Sequence, residues 1–283
     1  RHQRDRSFRE TLKPAMDRMI GSPVCCRPAL MRTAHIPSVL ATIAICGMMA
    51  CGHNKEEMLA PHVGHFTVEQ HLAIDWRYAS HEYDIQSTYE DDFGNLFQLD
   101  TLRFLISGAH AVDDDGVVFA NYSNVYLLID ASSIDQEHVL GTLTSDHLHE
   151  IRFNIGLEPA MNHADPSQAL PPLNDQTMHS GSTAEGYCLL QITGRVDSNG
   201  DGAIDATDLR FSHRCIGDDL LRQSTTIVHA NLPAGGVLTA WLPIDVEMLL
   251  DSIDLLNMPS SSGAGTENTL LMEQLLEAME QEH

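Results

Sequence analysis

The chain is predicted to be all-β: an antiparallel β-sandwich, of immunoglobulin-like or jelly-roll-like wiring, with long loops and a short C-terminal helix. Three observations predict this. Short runs rich in β-branched and aromatic residues recur between Gly/Asn/Asp clusters. Apolar residues alternate with a period of two, as at Phe66, Val68, Leu72, Ile74 and Trp76. Sustained helical spacing is confined to the tail, where Leu270, Leu271, Leu275, Leu276 and Met279 lie among glutamates.

Taken in order, the first strand is expected at 66–76, and a polar turn follows at 90–95. Strands are expected next at 96–106, at 116–119 after the turn Asp113-Asp114-Asp115-Gly116, and at 123–130. Residues 149–156 place Ile151, Phe153 and Ile155 on one face. Strands at 187–196, 225–229 and 237–243 complete the series. Many short strands at this spacing argue for a sandwich or barrel. Residues 161–182 break the pattern with Pro166, Pro171 and Pro172, and read as a long loop of the length that usually carries function or disorder. Residues 258–283 read as a Ser/Gly linker followed by an acidic amphipathic helix that docks on the domain or lies on its surface.

The most explicit chemistry lies at 197–208, Asp-Ser-Asn-Gly-Asp-Gly-Ala-Ile-Asp-Ala-Thr-Asp. A twelve-residue calcium loop of the EF-hand type places oxygen ligands at positions 1, 3, 5, 7, 9 and 12 and glycine at 6. Asp197, Asn199, Asp201, the Ala203 carbonyl, Asp205 and Asp208 fill those positions, and Gly202 is the turn glycine. Hard oxygen donors suit calcium over a soft metal. An acidic turn between two strands, favoured on backbone grounds alone, is the competing reading. The last ligand is Asp instead of the usual bidentate Glu, which resembles the loops of dockerin modules.

With 283 residues there is room for one domain of ordinary to large size or two small ones. Charge is divided unevenly. Residues 1–50 hold eight of the 16 cationic side chains and three of the 40 acids, so the remainder carries eight against 37. That surface favours cations and repels nucleic acid.

Residues 1–30 read as an upstream extension. Residues 31–51 read as a lipoprotein signal peptide: Arg32 and His35, an apolar run at 39–50, and Ala50-Cys51 in the manner of a bacterial lipobox. Cys51 is then the lipidated residue, 52–65 a tether, and the protein is exported to the periplasm or cell surface and held on a membrane by its acyl chains. Cys188 and Cys215 remain in the mature chain, and an oxidising compartment allows a disulfide between them.

The long loop also carries a resemblance. The segments Asn162-His163-Ala164-Asp165-Pro166, Pro172-Leu173-Asn174-Asp175, Met178-His179-Ser180 and Gly186-Tyr187 occur in an ordered series. They are flanked by 151–156 and by Phe211-Ser212-His213. Together they resemble the signature of MbnP-like proteins, the periplasmic copper-binding family associated with methanobactin operons, over residues 66–257. The resemblance implies a secreted β-rich fold, copper binding by histidine, a redox or copper-handling protein partner, and no catalytic turnover. By position it makes His163 and His213 ligands. The family's Met-Trp-Ser-Trp is Met178-His179-Ser180-Gly181 here, so either His179 stands in as a ligand or the site is lost.

His147-x-His149 would place two imidazoles on one strand face, but fourteen histidines in the mature chain make chance pairs common. Enzyme signatures are absent: no Gly-x-Ser-x-Gly, P-loop or dinucleotide glycine pattern occurs. The expectation is an exported, lipid-anchored metal-binding protein, with calcium structural at 197–208 and copper at histidines. The alternatives are a calcium-dependent, dockerin-like adhesion or assembly module and a secreted hydrolase. A dockerin needs a second loop and a helix after each; the run 209–215 is helical for barely two turns.

Overall fold

A computed structural model of the chain describes residues 66–232 and 235–280. The expected extension, signal peptide, lipidated Cys51 and tether lie outside the described residues.

The described strands are β1 (Phe66–Tyr78), β2 (His81–Glu82), β3 (Tyr89–Glu90), β4 (Leu96–Val112), β5 (Val118–Tyr122), β6 (Leu127–Asp130), β7 (Glu137–Ser145) and β8 (His147–Ile155). They continue with β9 (Cys188–Val196), β10 (Leu209–Ile216), β11 (Arg222–Asn231), β12 (Val237–Asp245) and β13 (Ser260–Gly263). Three helices accompany them: α1 (Pro159–Asn162), α2 (Val246–Leu249) and α3 (Thr266–Glu277). The sandwich class is as expected from the alternation, and the sheets are mixed, not purely antiparallel. β1 pairs parallel with β12, and β10 pairs parallel with β13.

β4 organises the larger sheet. Phe104 lies opposite Leu190 of β9 on one edge and Ile129 of β6 on the other. Ile106 lies opposite Ile155 of β8 and Leu127 of β6. β9 and β8 therefore share one edge of β4 in tandem, over its first and second halves, and the opposite edge carries β3, β6 and β5. The chain leaves β8 and re-enters at β9 beside the same short stretch of β4, so residues 157–187 emerge at a fork in the sheet.

The smaller sheet lays β1 against this one. Val68, Leu72, Ile74 and Trp76, the residues picked out by alternation, are buried. Trp76 meets Phe104 edge to face at 6.3 Å, and Tyr78 meets Phe97 at 6.4 Å. Such aromatic pairs add about 0.5–1.5 kcal/mol beyond the area they bury.

β7 and α2 lie where no element was expected, and two further segments take a different form from the one expected. Residues 209–215, read as a short helix, form β10, because Phe211, His213 and Cys215 alternate inward against β9. The Ser/Gly stretch read as a linker forms β13, held by the free edge of β10; tertiary pairing overrides weak strand propensity here. The helix after it is the docked kind. Leu271, Met272 and Leu275 of α3 are fully buried, at roughly 1.5–3 kcal/mol each.

At Gly194, β9 is crowded by β4 on one side and by Phe211 of β10 on the other. A Cβ there would lie 2.2 Å from the Gln98 carbonyl oxygen and 2.6 Å from the Phe211 ring. The backbone cannot yield without disturbing the bulge between Leu99 and Thr101. Gly194→Ala is expected to destabilise the fold by about 1–3 kcal/mol in chemical denaturation, the cost of overpacking; an unchanged midpoint would show that the contact relaxes freely.

Candidate metal centre

The long loop is built, not disordered. Asn162, fully buried, accepts from the Tyr187 N–H through Oδ1 (2.8 Å) and donates from Nδ2 to Asp218 Oδ1 (2.7 Å). One side chain thus ties the first turn of the loop to its last residue and to the segment after β10. Tyr187 is buried beneath and donates its hydroxyl to the Leu173 carbonyl at 2.7 Å. Gly186 (φ +84°) packs against Asn162 so closely that a Cβ would lie 2.7 Å from the Asn162 carbonyl oxygen. Asp165 and Asp175 cap two 3-10 turns, Pro166–Gln168 and Gln176–Met178. The ordered signature in the sequence is therefore, for the most part, the set of residues that closes this loop on itself.

The three histidines picked out as copper ligands have three different fates. His163 has both ring nitrogens against acceptors: Nδ1 at 2.7 Å from the Thr183 carbonyl and Nε2 at 3.0 Å from Asp218 Oδ2. Two acceptors favour the imidazolium, and the Thr183 carbonyl first, then Asp218, hold its pKa above the ordinary value. His163 lines an open cleft of about 540 Å³ with Glu185 and Asp218, but with both ring nitrogens engaged. His179 accepts from the Gly181 N–H through Nδ1 (3.0 Å), so in the neutral ring Nε2 carries the proton. Its ring stands edge to face on Tyr187 at 5.0 Å.

His213 differs. Asn268 is fully buried and donates both amide protons, to the Arg214 and Gly263 carbonyls (2.9 and 2.7 Å), leaving Oδ1 as acceptor. The Ser261 hydroxyl donates to that oxygen. Ser261 Oγ must then accept from His213 Nδ1, at 2.8 Å. The relay fixes the tautomer and leaves a bare lone pair on Nε2, which is buried and has no hydrogen-bond partner among the described residues. Burial lowers the pKa of this imidazole, which keeps it neutral. His213 faces the core side of β10, whereas Arg214, which donates to the His179 carbonyl (3.1 Å), lies on the opposite face. His163, His179 and His213 are not among the described groups of three ligand atoms close enough to share an ion.

Residues 197–208 form the connection between β9 and β10. Asp197 accepts from the N–H groups of Gly200 and Gly202 (2.7 and 2.9 Å), and Asn199 from that of Asp201 (2.8 Å). Asp201 accepts from the Ala203 N–H (3.0 Å) and Asp205 from that of Thr207 (2.7 Å). Buried Asp208 receives the N–H groups of Ser198 (3.2 Å) and Asp205 (2.8 Å). At Asp197 and Asp208 both carboxylate oxygens accept from the loop's own backbone, whereas Asp201 and Asp205 each use one oxygen that way; strands flank the loop where an EF-hand or dockerin has helices.

The disulfide expected between Cys188 and Cys215 is not formed. Both are buried free thiols, one donating to the Leu190 carbonyl (3.1 Å) and the other to that of Asn268 (3.6 Å). The strand register sets Cys188 against Ile216 and Cys215 against Leu190, so a bulge separates them. One group that spacing alone did not assemble does converge: Asp114, His149 and His229.

The His163–Asp218 pair gives the loop a pH window. His163, raised, contributes stability below the ordinary imidazole value and loses it as pH rises through its raised value. Asp218 is lowered, first by the Asn162 amide and then by His163; it contributes above the ordinary carboxylate value and loses that as pH falls. Both are in place between about pH 4 and 6.5. Melting temperature against pH is expected to lose its alkaline limb in His163→Gln and to keep its acid limb; identical profiles in variant and wild type would contradict the clamp.

No curated protein matches the chain. Among solved structures, MbnP from Methylosinus trichosporium is similar at 13% identity over 70% of this chain and 82% of that one, with a TM-score of 0.47. A model of the MbnP family matches residues 67–264, which run from β1 to just past β13. The chain belongs to the MbnP family.

Proposed function

We propose that the protein is an exported, lipid-anchored copper-binding protein without catalytic turnover, in which His213 offers copper a ligand and the 197–208 loop holds a structural calcium ion. His213 Nε2 carries this reading. A buried imidazole nitrogen without a partner costs free energy unless something occupies it. The Ser261–Asn268 relay is the outer support that metal-bound histidines commonly have. Imidazole suits copper, which supplies one-electron redox chemistry when bound. The chain's part is to keep the ring neutral, fix its tautomer and bury it. His163, with both ring nitrogens held by Thr183 and Asp218, serves the loop that stands nearby. The net acidity of the mature chain favours cations over anions at every approach.

Copper quantified by mass spectrometry after dialysis is expected to fall by one equivalent in His213→Ala and to stay unchanged in His163→Gln. Retention of full copper in His213→Ala would overturn the assignment. Ser261→Ala is expected to weaken copper about 10- to 100-fold, as loss of a supporting hydrogen bond does.

The calcium reading rests on the match of donor types to positions 1, 3, 5, 7, 9 and 12. Calcium bound only by the folded chain stabilises it by about 2.7 kcal/mol at one hundred times its dissociation constant. A calcium-selective chelator is therefore expected to lower the melting temperature of the wild type and to leave that of Asp201→Ala unmoved. A wild-type melting temperature indifferent to chelator would remove calcium from the account.

A further inference from the structure

We infer a second metal site, distinct from His213: Asp114, His147, His149 and His229 form a three-imidazole, one-carboxylate centre for a borderline divalent transition ion of the zinc(II) class. Four features of the fold build it. β8 is a period-two strand, so His147 and His149 lie on the same face, two residues apart. β11 runs antiparallel beside it, with Ile227 opposite Glu150 and Ala230 opposite Leu148. Between them Val228 and His229 together face the single residue His149, which is a bulge. His229 sits in it at φ +44°, a left-handed conformation uncommon for any residue but glycine and often found where a side chain is re-aimed for function.

The fourth ligand comes from the β4–β5 turn. Val112 lies opposite Glu150, which sets that turn beside β8. Asp113 closes the turn by accepting from the Asp115 and Val117 N–H groups (3.0 and 2.8 Å), and Asp114 projects from it. Its Oδ1 lies 3.0 Å from His149 Nδ1, 3.4 Å from His147 Nε2 and 4.0 Å from His229 Nδ1. Ligands about 2.0–2.1 Å from a tetrahedral ion stand about 3.3 Å apart, and these three carboxylate–imidazole separations bracket that value; the ligand atoms of Asp114, His149 and His229 all lie within 4.8 Å of one another, and His147 joins them through Asp114. The His149 and His229 rings meet at 4.2 Å and 89°, so their edges converge without stacking.

Support beyond the four ligands is present too. Asn231 Oδ1 lies 3.2 Å from His147 Nδ1, which orients the ring and leaves Nε2 turned to Asp114. That Nε2 is buried and makes no hydrogen bond among the described residues. A carboxylate oxygen surrounded by three imidazole nitrogens is more than a surface ion pair requires. The donor set of nitrogen and a single carboxylate oxygen excludes calcium and magnesium and selects a borderline ion. The side chains of Asp114 and His229 are 62% and 58% exposed, so the ion would exchange with solvent.

Cobalt(II) titration of the full chain tests this, since cobalt replaces zinc in such sites and reports tetrahedral coordination by visible absorption. The expected result is one equivalent that gives a tetrahedral spectrum and is displaced by zinc. Asp114→Asn with His229→Asn is expected to abolish it; asparagine tolerates the left-handed backbone at 229, and an unchanged melting temperature would show that the fold survives. Asn231→Ala is expected to weaken the equivalent about 10- to 100-fold. The spectrum is expected to persist in His213→Ala, which separates this site from the copper assignment. A tetrahedral cobalt equivalent that survives the double variant, or no such equivalent in the wild type, would overturn the proposal.

Discussion

The fold depends on β4 having two partners along one edge. Its seventeen residues pair with β9 over the first half and β8 over the second. A chain that leaves one partner and returns as the other must bridge a short distance with whatever lies between, here residues 157–187. Loops this long tend to open, because their ends gain little from being close. Buried Asn162 prevents that by holding the Tyr187 N–H and Asp218 at once, so the loop is closed by side-chain bonds where a sheet would use its ladder.

The histidines show how the same side chain is given different chemistry by its hydrogen-bond partners. Two acceptors engage both nitrogens of His163 and favour its protonated form, a donor at Nδ1 makes His179 a proton carrier at Nε2, and a relay through Ser261 to Asn268 leaves His213 with an open lone pair. The residue type is the same at all three; the partners and the burial differ. The outlying group of Asp114, His147, His149 and His229 adds a second lesson. There the ligands are assembled by a turn and a bulge, local irregularities that let separate strands aim at one point.

Much of the sandwich was legible because burial imposes a period of two. β1, β9 and β12 lie close to where alternation placed them, and the core residues of β1 are those it named. β10 was misread because Leu209-Arg210-Phe211-Ser212-His213-Arg214-Cys215 is short enough to suit either period, and its strand character comes from β9 alongside. β13 has almost no strand propensity and exists because β10 offers an edge. At the site, the loop signature was visible but its meaning was not: Asn162 and Tyr187 stand 25 residues apart, and no spacing rule announces that they bond. His147-x-His149 was visible as a pair; Asp114 joins it through the β4–β5 turn and His229 through the β11 bulge, and local sequence encodes neither juxtaposition.

The loop segments that carry the family signature close the scaffold, and the proposed metal chemistry belongs to histidines with an unpartnered nitrogen. Hydrogen exchange of Asn162→Ala, followed peptide by peptide, tests this most directly. Faster exchange confined to 157–187, with β4 and β9 as protected as in the wild type, is the predicted result. Unchanged protection of the loop would contradict the claim that Asn162 is what closes it.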